Sequence, residues 1–198
     1  SGKQTVSYNG YFGVQQHGKL TPMVNTADYI DIYNEAAMAD DRDIISPEIA
    51  ATFADVDHME SIFQLAPVQS HQLSFSDGNE KSQYLISGDY FNQDGIILNS
   101  YFKRYSFKAN VNSNLSKWLR ININTNFAST NRNIISNSGD GASSDKGSVV
   151  RYAFFRTPGT PIYKENGDYV DLPQNPKFLG DGYNPVGLAN HFDDKERK

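Results

Sequence analysis

The chain has 198 residues and a formal net charge of −5, from 18 lysines and arginines against 23 aspartates and glutamates. This balance excludes the basic field that nucleic-acid binding needs, and the lack of cysteine excludes disulfides, thiolate metal sites and cysteine nucleophiles. Only 38% of the residues are hydrophobic although 13% are aromatic, which fits a structure that is wet on one face and apolar on the other.

The first part of the chain predicts one strand and two short helices. Large apolar residues alternate with polar ones over residues 4–15, which is the period of a β-strand. Residues 25–39 place apolar side chains at helical spacing, with Asn25 or Thr26 as the N-cap. A second short helix is predicted to begin at Pro47, because proline suits the first helical position. No run reaches the roughly 18 consecutive apolar residues of a transmembrane helix.

Four further strands are predicted, arranged as two hairpins. The alternation covers residues 71–77, 82–91, 101–113 and 118–129. The first hairpin closes at residues 77–79, Asp-Gly-Asn, a sequence suited to positive φ, and the second at the polar residues 114–117. The lengths of the predicted strands are close to the roughly 10 residues that a tilted strand needs to cross a bilayer.

The connections between these strands differ in length. The predicted loops are residues 16–70, 92–100 and 130–198, whereas the two hairpin turns are short. Within the last loop, residues 149–155 fit either a helical turn or a strand. Short turns on one side and long loops on the other are typical of outer-membrane barrels. The predicted fold class is therefore all-β: an antiparallel segment of a transmembrane β-barrel, about five strands, with long and partly helical extracellular loops.

A soluble β-rich carbohydrate-binding module is the alternative, because alternating strands occur in any antiparallel sheet with one wet face. Two features favour the barrel. The polar positions are rich in asparagine rather than lysine and glutamate, and aromatic residues cluster at strand ends as in interfacial girdles. These rings are Trp118 and Tyr84 beside the short turns, and Tyr90, Phe91, Tyr101, Phe102 and Tyr105 beside the loops. Simple cross-strand packing would also explain them.

The period of two assigns a face to each residue of the second hairpin. The candidate lipid-facing residues are Phe107, Ala109, Val111, Leu119, Ile121, Ile123 and Phe127. The candidate lumen-facing residues are Lys108, Asn110, Asn112, Arg120, Asn122, Asn124 and Asn126. No residue is assigned to ligand binding.

The sequence does not predict an enzyme. His17, His58, His71 and His191 are scattered, without a partner at metal-ligand spacing. The acidic run at residues 40–43 indicates a solvated helix end rather than an acid/base pair. No catalytic residue, metal or cofactor is therefore predicted.

An ordered set of short motifs carries a family resemblance. The motifs are Asp57-His58-Met59-Glu60-Ser61-Ile62-Phe63, Ala66-Pro67, Leu73-Ser74-Phe75-Ser76, Gly78-Asn79-Glu80-Lys81, Tyr84-Leu85-Ile86-Ser87-Gly88, Tyr90-Phe91, Gln93-Asp94-Gly95-Ile96-Ile97, Phe102-Lys103-Arg104-Tyr105 and Lys117-Trp118-Leu119. Together they resemble the start of the barrel in SusC/RagA-type TonB-dependent outer-membrane transporters. The resemblance covers roughly residues 1–130. Residues 150–198 match more loosely, through Arg156-Thr157-Pro158, Pro161-Ile162-Tyr163 and Asn184-Pro185. His58 stands where the family usually has Trp, and Asp77 where it has Gly.

The resemblance implies a barrel of the class with about 22 strands and a plugged lumen. It implies uptake of glycans, or of peptides in some members, in the bacterial outer membrane. A surface lipoprotein of the SusD type would cap the barrel, and TonB would supply energy. The plug and the segment that contacts TonB are expected to lie before residue 1, so the chain is interpreted as an internal piece of a transporter.

Overall fold

The computed structural model describes residues 4–135, 148–191 and 195–197. Its strands form an open antiparallel sheet in which each strand pairs with the next along the chain. The strands are β1 (Thr5–Gln15), β2 (Ala66–Gly78), β3 (Ser82–Asp94), β4 (Tyr101–Asn114), β5 (Arg120–Asn133) and the short β6 (Lys195–Arg197). The predicted antiparallel segment is confirmed, and β6 adds a strand that the sequence did not indicate.

The strands extend further toward the loops than the alternation indicates. β2 begins at Ala66 rather than at residue 71, because Pro67 already pairs with Val14 of β1. β5 covers Arg120–Asn133 rather than 118–129, and its added residues pair with the start of β4. Leu119 therefore lies in the turn before β5, where its N–H and C=O bond to Ser116 at 3.3 Å.

The turn between β2 and β3 is closed by a side chain rather than by positive φ. The Asn79 carboxamide oxygen accepts from the backbone N–H of Lys81 at 2.8 Å and of Ser82 at 2.9 Å. The hairpin turn lies where it was predicted, but the expected positive φ at residues 77–79 is not observed, since positive φ in the described residues occurs elsewhere. Glycine at position 78 instead allows the backbone of β3 to come close, because a Cβ at this position would lie 2.8 Å from the Ser82 carbonyl oxygen.

In the described parts of the chain, six helices lie in the connections at the other end of the sheet. They are α1 (Thr26–Ala39), α2 (Pro47–Ala50), α3 (His58–Ser61), α4 (Val149–Phe155), α5 (Pro176–Leu179) and α6 (Pro185–His191). Asn25 caps α1, since its side chain accepts from the Asp28 N–H at 2.8 Å, and Pro47 opens α2 as predicted. The ambiguous residues 149–155 are helical. Part of the predicted third loop, residues 136–147, lies outside the described residues.

The hydrophobic core lies among these connections and not on the sheet. Its buried members are Met59, Ile62, Ile97, Ile135, Val149, Ala153, Val186 and Ala189. None of them belongs to a strand. We call residues 16–65, 95–100, 134–135 and 148–191 the loop region. No helix in the described parts of the chain is long and apolar enough to span a membrane.

Candidate functional site: a two-faced wall and its loop region

The strand register sorts the side chains of the sheet into two faces. Directly paired residues of an antiparallel sheet point to the same side. Phe107 pairs with Gly88 and Phe127, and its neighbour Lys108 pairs with Ser87 and Asn126 on the opposite side. The same alternation extends through β1 and β2. We call the side of Phe107 the apolar face and the side of Lys108 the polar face.

The candidate lumen-facing residues lie together on the polar face. The pairs are Lys108 with Asn126, Asn110 with Asn124, Asn112 with Asn122, and Asn114 with Arg120. On β2 and β3 the same face continues mainly with serine and glutamine. The register confirms that these residues share one side of the wall. Whether this side faces a lumen is not tested by the register, so the lumen assignment stays a prediction.

The candidate lipid-facing residues of β4 and β5 lie together on the apolar face. Val111 pairs with Ile123, and Phe107 with Phe127. Their large side chains are uncovered: Ile123 is 50% exposed and Phe127 67% exposed. The face continues through Ile86 on β3, Leu73 and Phe75 on β2, and Val6 on β1. Soluble monomers rarely expose a contiguous apolar surface of this extent.

A row of rings crosses the apolar face toward its loop end. Tyr8, His71, Tyr90 and Tyr105 lie on four neighbouring strands, with successive ring centroids 6.1, 6.2 and 5.1 Å apart. The Tyr8 hydroxyl also lies 2.6 Å from Nδ1 of His71. Tyr90 and Tyr105 thus lie together as predicted for a girdle, whereas the sequence did not indicate Tyr8 and His71.

The predicted loop-side girdle needs one correction, because two of its members lie on the polar face. Phe91 pairs with Arg104, and Phe102 pairs with Gln93, so both rings belong to the polar side. They contact each other edge to face, with centroids 5.9 Å apart. At the turn end, Tyr84 lies on the apolar face beside Phe75, with centroids 5.8 Å apart. Adjacent positions in a strand alternate between faces, so clustering in sequence does not establish a single girdle.

In the loop region, Arg156 ties together three segments that are distant in sequence. Its side chain is buried, and Nη2 donates to the carbonyl oxygens of Val170 and Asp171, both at 2.7 Å. Nη1 donates to the carbonyl oxygen of Gly182. Burial lowers the pKa of Arg156, and the charges of Asp171 and Asp181 act in the opposite direction.

Asn184 is a second buried anchor beside Arg156. Its Nδ2 donates to the carbonyl oxygen of Ile162 at 2.7 Å, while its Oδ1 accepts from the N–H of Gly187 at 3.0 Å and so caps α6. Arg156 and Asn184 both belong to the motifs that match the family only loosely. The structure shows that these motifs hold the loop region together.

His58 packs into the same interior as a neutral side chain. It is 3% exposed, and neither ring nitrogen has a hydrogen-bond partner in the described structure. Burial, assisted by the positive charge of Arg156, lowers the pKa of His58 to about 4. The ring is therefore uncharged at neutral pH, which fits a position where the family usually has an apolar ring.

The loop region also carries an open groove of about 520 Å³. Its lining includes Phe53, Gly159, Pro161, Tyr163 and residues 172–175. Tyr163 is 51% exposed, and its ring contacts that of Tyr169 in a tilted arrangement with centroids 5.3 Å apart. The volume lies in the range of about 300–1,000 Å³ that is typical of small-ligand pockets.

The histidines and the acidic run do not assemble a reactive centre. His17 lies 3.4 Å from Glu60, and His191 bonds to the Gly187 carbonyl oxygen at 2.9 Å, far from one another in the chain. Within the described ranges, no group of three potential metal ligands comes together. Asp43 forms an ion pair with Lys177, which lowers the pKa of the Asp43 carboxyl.

The fold is shared with parts of larger solved proteins. Two solved structures of the RagAB complex share it: the peptide transporter at a TM-score of 0.68 over 92% of this chain, and the closed-closed peptide importer at 0.63 over 93%. Both are 20% identical in sequence, and the chain covers 24% of each solved chain. The open sheet and its loop region thus share the fold of part of these two solved chains.

Curated relatives agree with this likeness. TonB-dependent receptor P3 of Formosa agariphila is 29% identical over the whole chain, and TonB-dependent receptor SusC of Bacteroides thetaiotaomicron is 24% identical over 98% of it. No family model matches. The chain spans only 18% and 17% of these two receptors. The predicted resemblance to SusC/RagA-type TonB-dependent receptors is confirmed.

Proposed function

We propose that the chain is a wall segment of a bacterial outer-membrane nutrient importer that takes up glycans or peptides with energy from TonB. One observation carries the proposal: an uncovered apolar face runs across β1 to β5, and an asparagine-rich polar face lies behind it. That division suits a strand wall between lipid and a watery lumen. The relatives are receptors and transporters, and the solved RagAB complex is a peptide importer.

The edges of the sheet support a larger barrel. The outer edge of β1 has no partner strand in the described structure, and β6 pairs only with residues 131–133 of β5. Unpaired edges expose backbone donors and acceptors that recruit further strands. In the proposed importer, neighbouring strands of the same barrel fill both edges.

The loop region would face the outside of the cell, with the two short turns in the periplasm. It has a core of its own and the open groove beside Tyr163, so it offers a shaped surface at the mouth of the barrel. A SusD-like lipoprotein and the incoming solute would meet the chain there. TonB would act through parts of the receptor outside this chain.

Labelling of single cysteines tests the orientation. We would replace Asn166, Asn79 or Ser116 by cysteine, one at a time, in the full-length receptor on intact cells. All three positions are exposed. A membrane-impermeant thiol reagent should modify Asn166→Cys and spare the other two, and permeabilised cells should give label at all three. The reverse pattern on intact cells would overturn the orientation and the importer assignment.

A further inference from the structure

The charges on the polar face are strongly unbalanced. Four cations share it on two adjacent strands, and we call them the basic stripe: Arg104 and Lys108 on β4, and Arg120 and Arg132 on β5. Within the described strands β1 to β5, Asp89 is the one carboxylate on this face. A chain with a net charge of −5 thus carries a positive surface on one side of its wall.

The basic stripe runs along most of the length of the sheet. Arg132 pairs with Phe102 near the loop end, and Arg120 pairs with Asn114 at the turn end. At about 3.4 Å per residue, these two levels are roughly 40 Å apart along the strands, and Arg104 and Lys108 are about 14 Å apart. The stripe is therefore an extended feature rather than a local cluster.

Three of the four cations of the stripe are available to a solute. Arg104, Lys108 and Arg120 are exposed, and within the described structure none of these three forms an ion pair with a carboxylate. Neutral amides fill the interval between Lys108 and Arg120. Arg120 Nε donates to one of these amides, Asn114 Oδ1, at 2.8 Å. The opposite face of the sheet carries one cation, Lys103, and two carboxylates, Asp77 and Asp94, within the described strands β1 to β5.

We propose that the basic stripe attracts and guides an anionic oligomer, one that carries carboxylate or sulfate groups, along the lumen wall. The inference rests on the proposed function and narrows its solute class. Arginine and lysine bind such groups by charge-assisted hydrogen bonds, and amides bind the neutral hydroxyl or amide groups between them. Cations that are repeated along a wall raise the local concentration of an anion without trapping it at one point.

The local potential can be measured without knowing the natural solute. Ala128 is exposed and pairs with Ser106, so it lies diagonally opposite both Arg104 and Lys108. Such diagonal neighbours are about 7–8 Å apart. We would introduce Ala128→Cys in the full-length receptor and compare its reaction rates with an anionic and a cationic methanethiosulfonate reagent of equal size. After normalisation to a free thiol, we expect the anionic reagent to react roughly fivefold faster.

Substitutions at single charges test which residues create this preference. Arg104→Gln and Lys108→Gln should each reduce the rate ratio about twofold, and Asp89→Asn should raise it. Lys103→Gln is the matched control, because it removes a neighbouring charge on the same strand but on the other face. A sulfated dextran should protect the cysteine at low ionic strength, and neutral dextran of the same length should not.

The outcomes separate this inference from the proposed function. If the cysteine reacts with neither reagent, Ala128 does not face water, and the lumen assignment fails together with the stripe. If the cysteine reacts with both reagents at the same normalised rate, and the glutamine variants leave that rate unchanged, the stripe does not select anions. The proposal that the chain is a wall segment would then remain, and the proposed guidance of anions would be overturned. Equal rates would also result if carboxylates elsewhere in the receptor neutralised the stripe, and that result too would overturn the proposed guidance of anions.

Discussion

Arginine substitution at two adjacent positions of β5 tests which face of the wall contacts lipid. Ile123 pairs with Val111 on the apolar face, and Asn124 pairs with Asn110 on the polar face. The apolar band extends from the level of Tyr105 in the ring row to the end of β4 at Asn114. At about 3.4 Å per residue and a tilt near 40°, that span is roughly 23 Å high, close to the approximately 25 Å expected for a barrel.

This geometry sets the size of the effect. In the proposed barrel, Ile123 would lie about 4 Å from the middle of that band along the membrane normal, well inside the hydrocarbon. Ile123→Arg should therefore destabilise the folded barrel by about 2–3 kcal/mol, since an arginine on the lipid face costs roughly 2–4 kcal/mol at the midplane. Asn124→Arg should change stability by less than about 0.5 kcal/mol, as is usual for an exposed polar position.

The assay is reversible unfolding of the full-length receptor in phospholipid vesicles by guanidinium chloride, with both variants compared with the unsubstituted protein. If the dependence of the unfolding free energy on denaturant concentration has the same slope in all three proteins, the shift of the unfolding midpoint gives the difference in their free energies of unfolding. Equal losses at residues 123 and 124 would show that β5 is not half in lipid. A larger loss at Asn124 would reverse the assignment of the two faces.

Three further outcomes are expected. The 198-residue polypeptide alone should aggregate or require detergent, because its apolar face and sheet edges are open; a sharp monomer in plain buffer by sedimentation would contradict this. Arg156→Gln should lower the free energy of local unfolding of residues 156–184 by about 1–3 kcal/mol. Limited proteolysis should therefore cut this segment faster in Arg156→Gln than in the control Arg151→Gln, which changes an exposed arginine. Because burial lowers the pKa of His58 to about 4, the loop region should lose roughly 3 kcal/mol of stability as the pH falls from about 6.5 toward 4. Hydrogen exchange of the loop region should detect this loss, and the His58→Phe variant should not show it.

The strand faces could be predicted from the sequence because the pleat imposes a period of two. Once Ile121, Ile123 and Phe127 alternate with asparagines, the two sides of β5 are determined without any tertiary information. The ends of the strands could not be predicted in the same way. Residues 66–70 lack a clean alternation, and they join β2 only because β1 and β3 supply backbone partners.

The anchors of the loop region left no periodic signal. Arg156 and Asn184 are single polar residues in irregular segments, and their importance comes from the carbonyl oxygens that tertiary folding brings to them. The ring row has the same origin, because its members come from four strands and only the register places Tyr8 beside His71. The basic stripe likewise joins residues from β4 and β5 that the sequence separates by a turn.

The two parts of the chain draw their stability from different sources. Within the described residues, the sheet is a single layer without a buried cluster of its own, so in the proposed barrel its apolar face would gain hydrophobic stabilisation from lipid and from neighbouring strands that close its edges. The loop region buries its own apolar residues around Ile62, Val149 and Ala153, and anchors its irregular segments through Arg156. Substitutions in the wall should therefore affect insertion and stability in the membrane, whereas substitutions in the loop core should leave insertion intact and alter the shape of the surface that meets solute and partner.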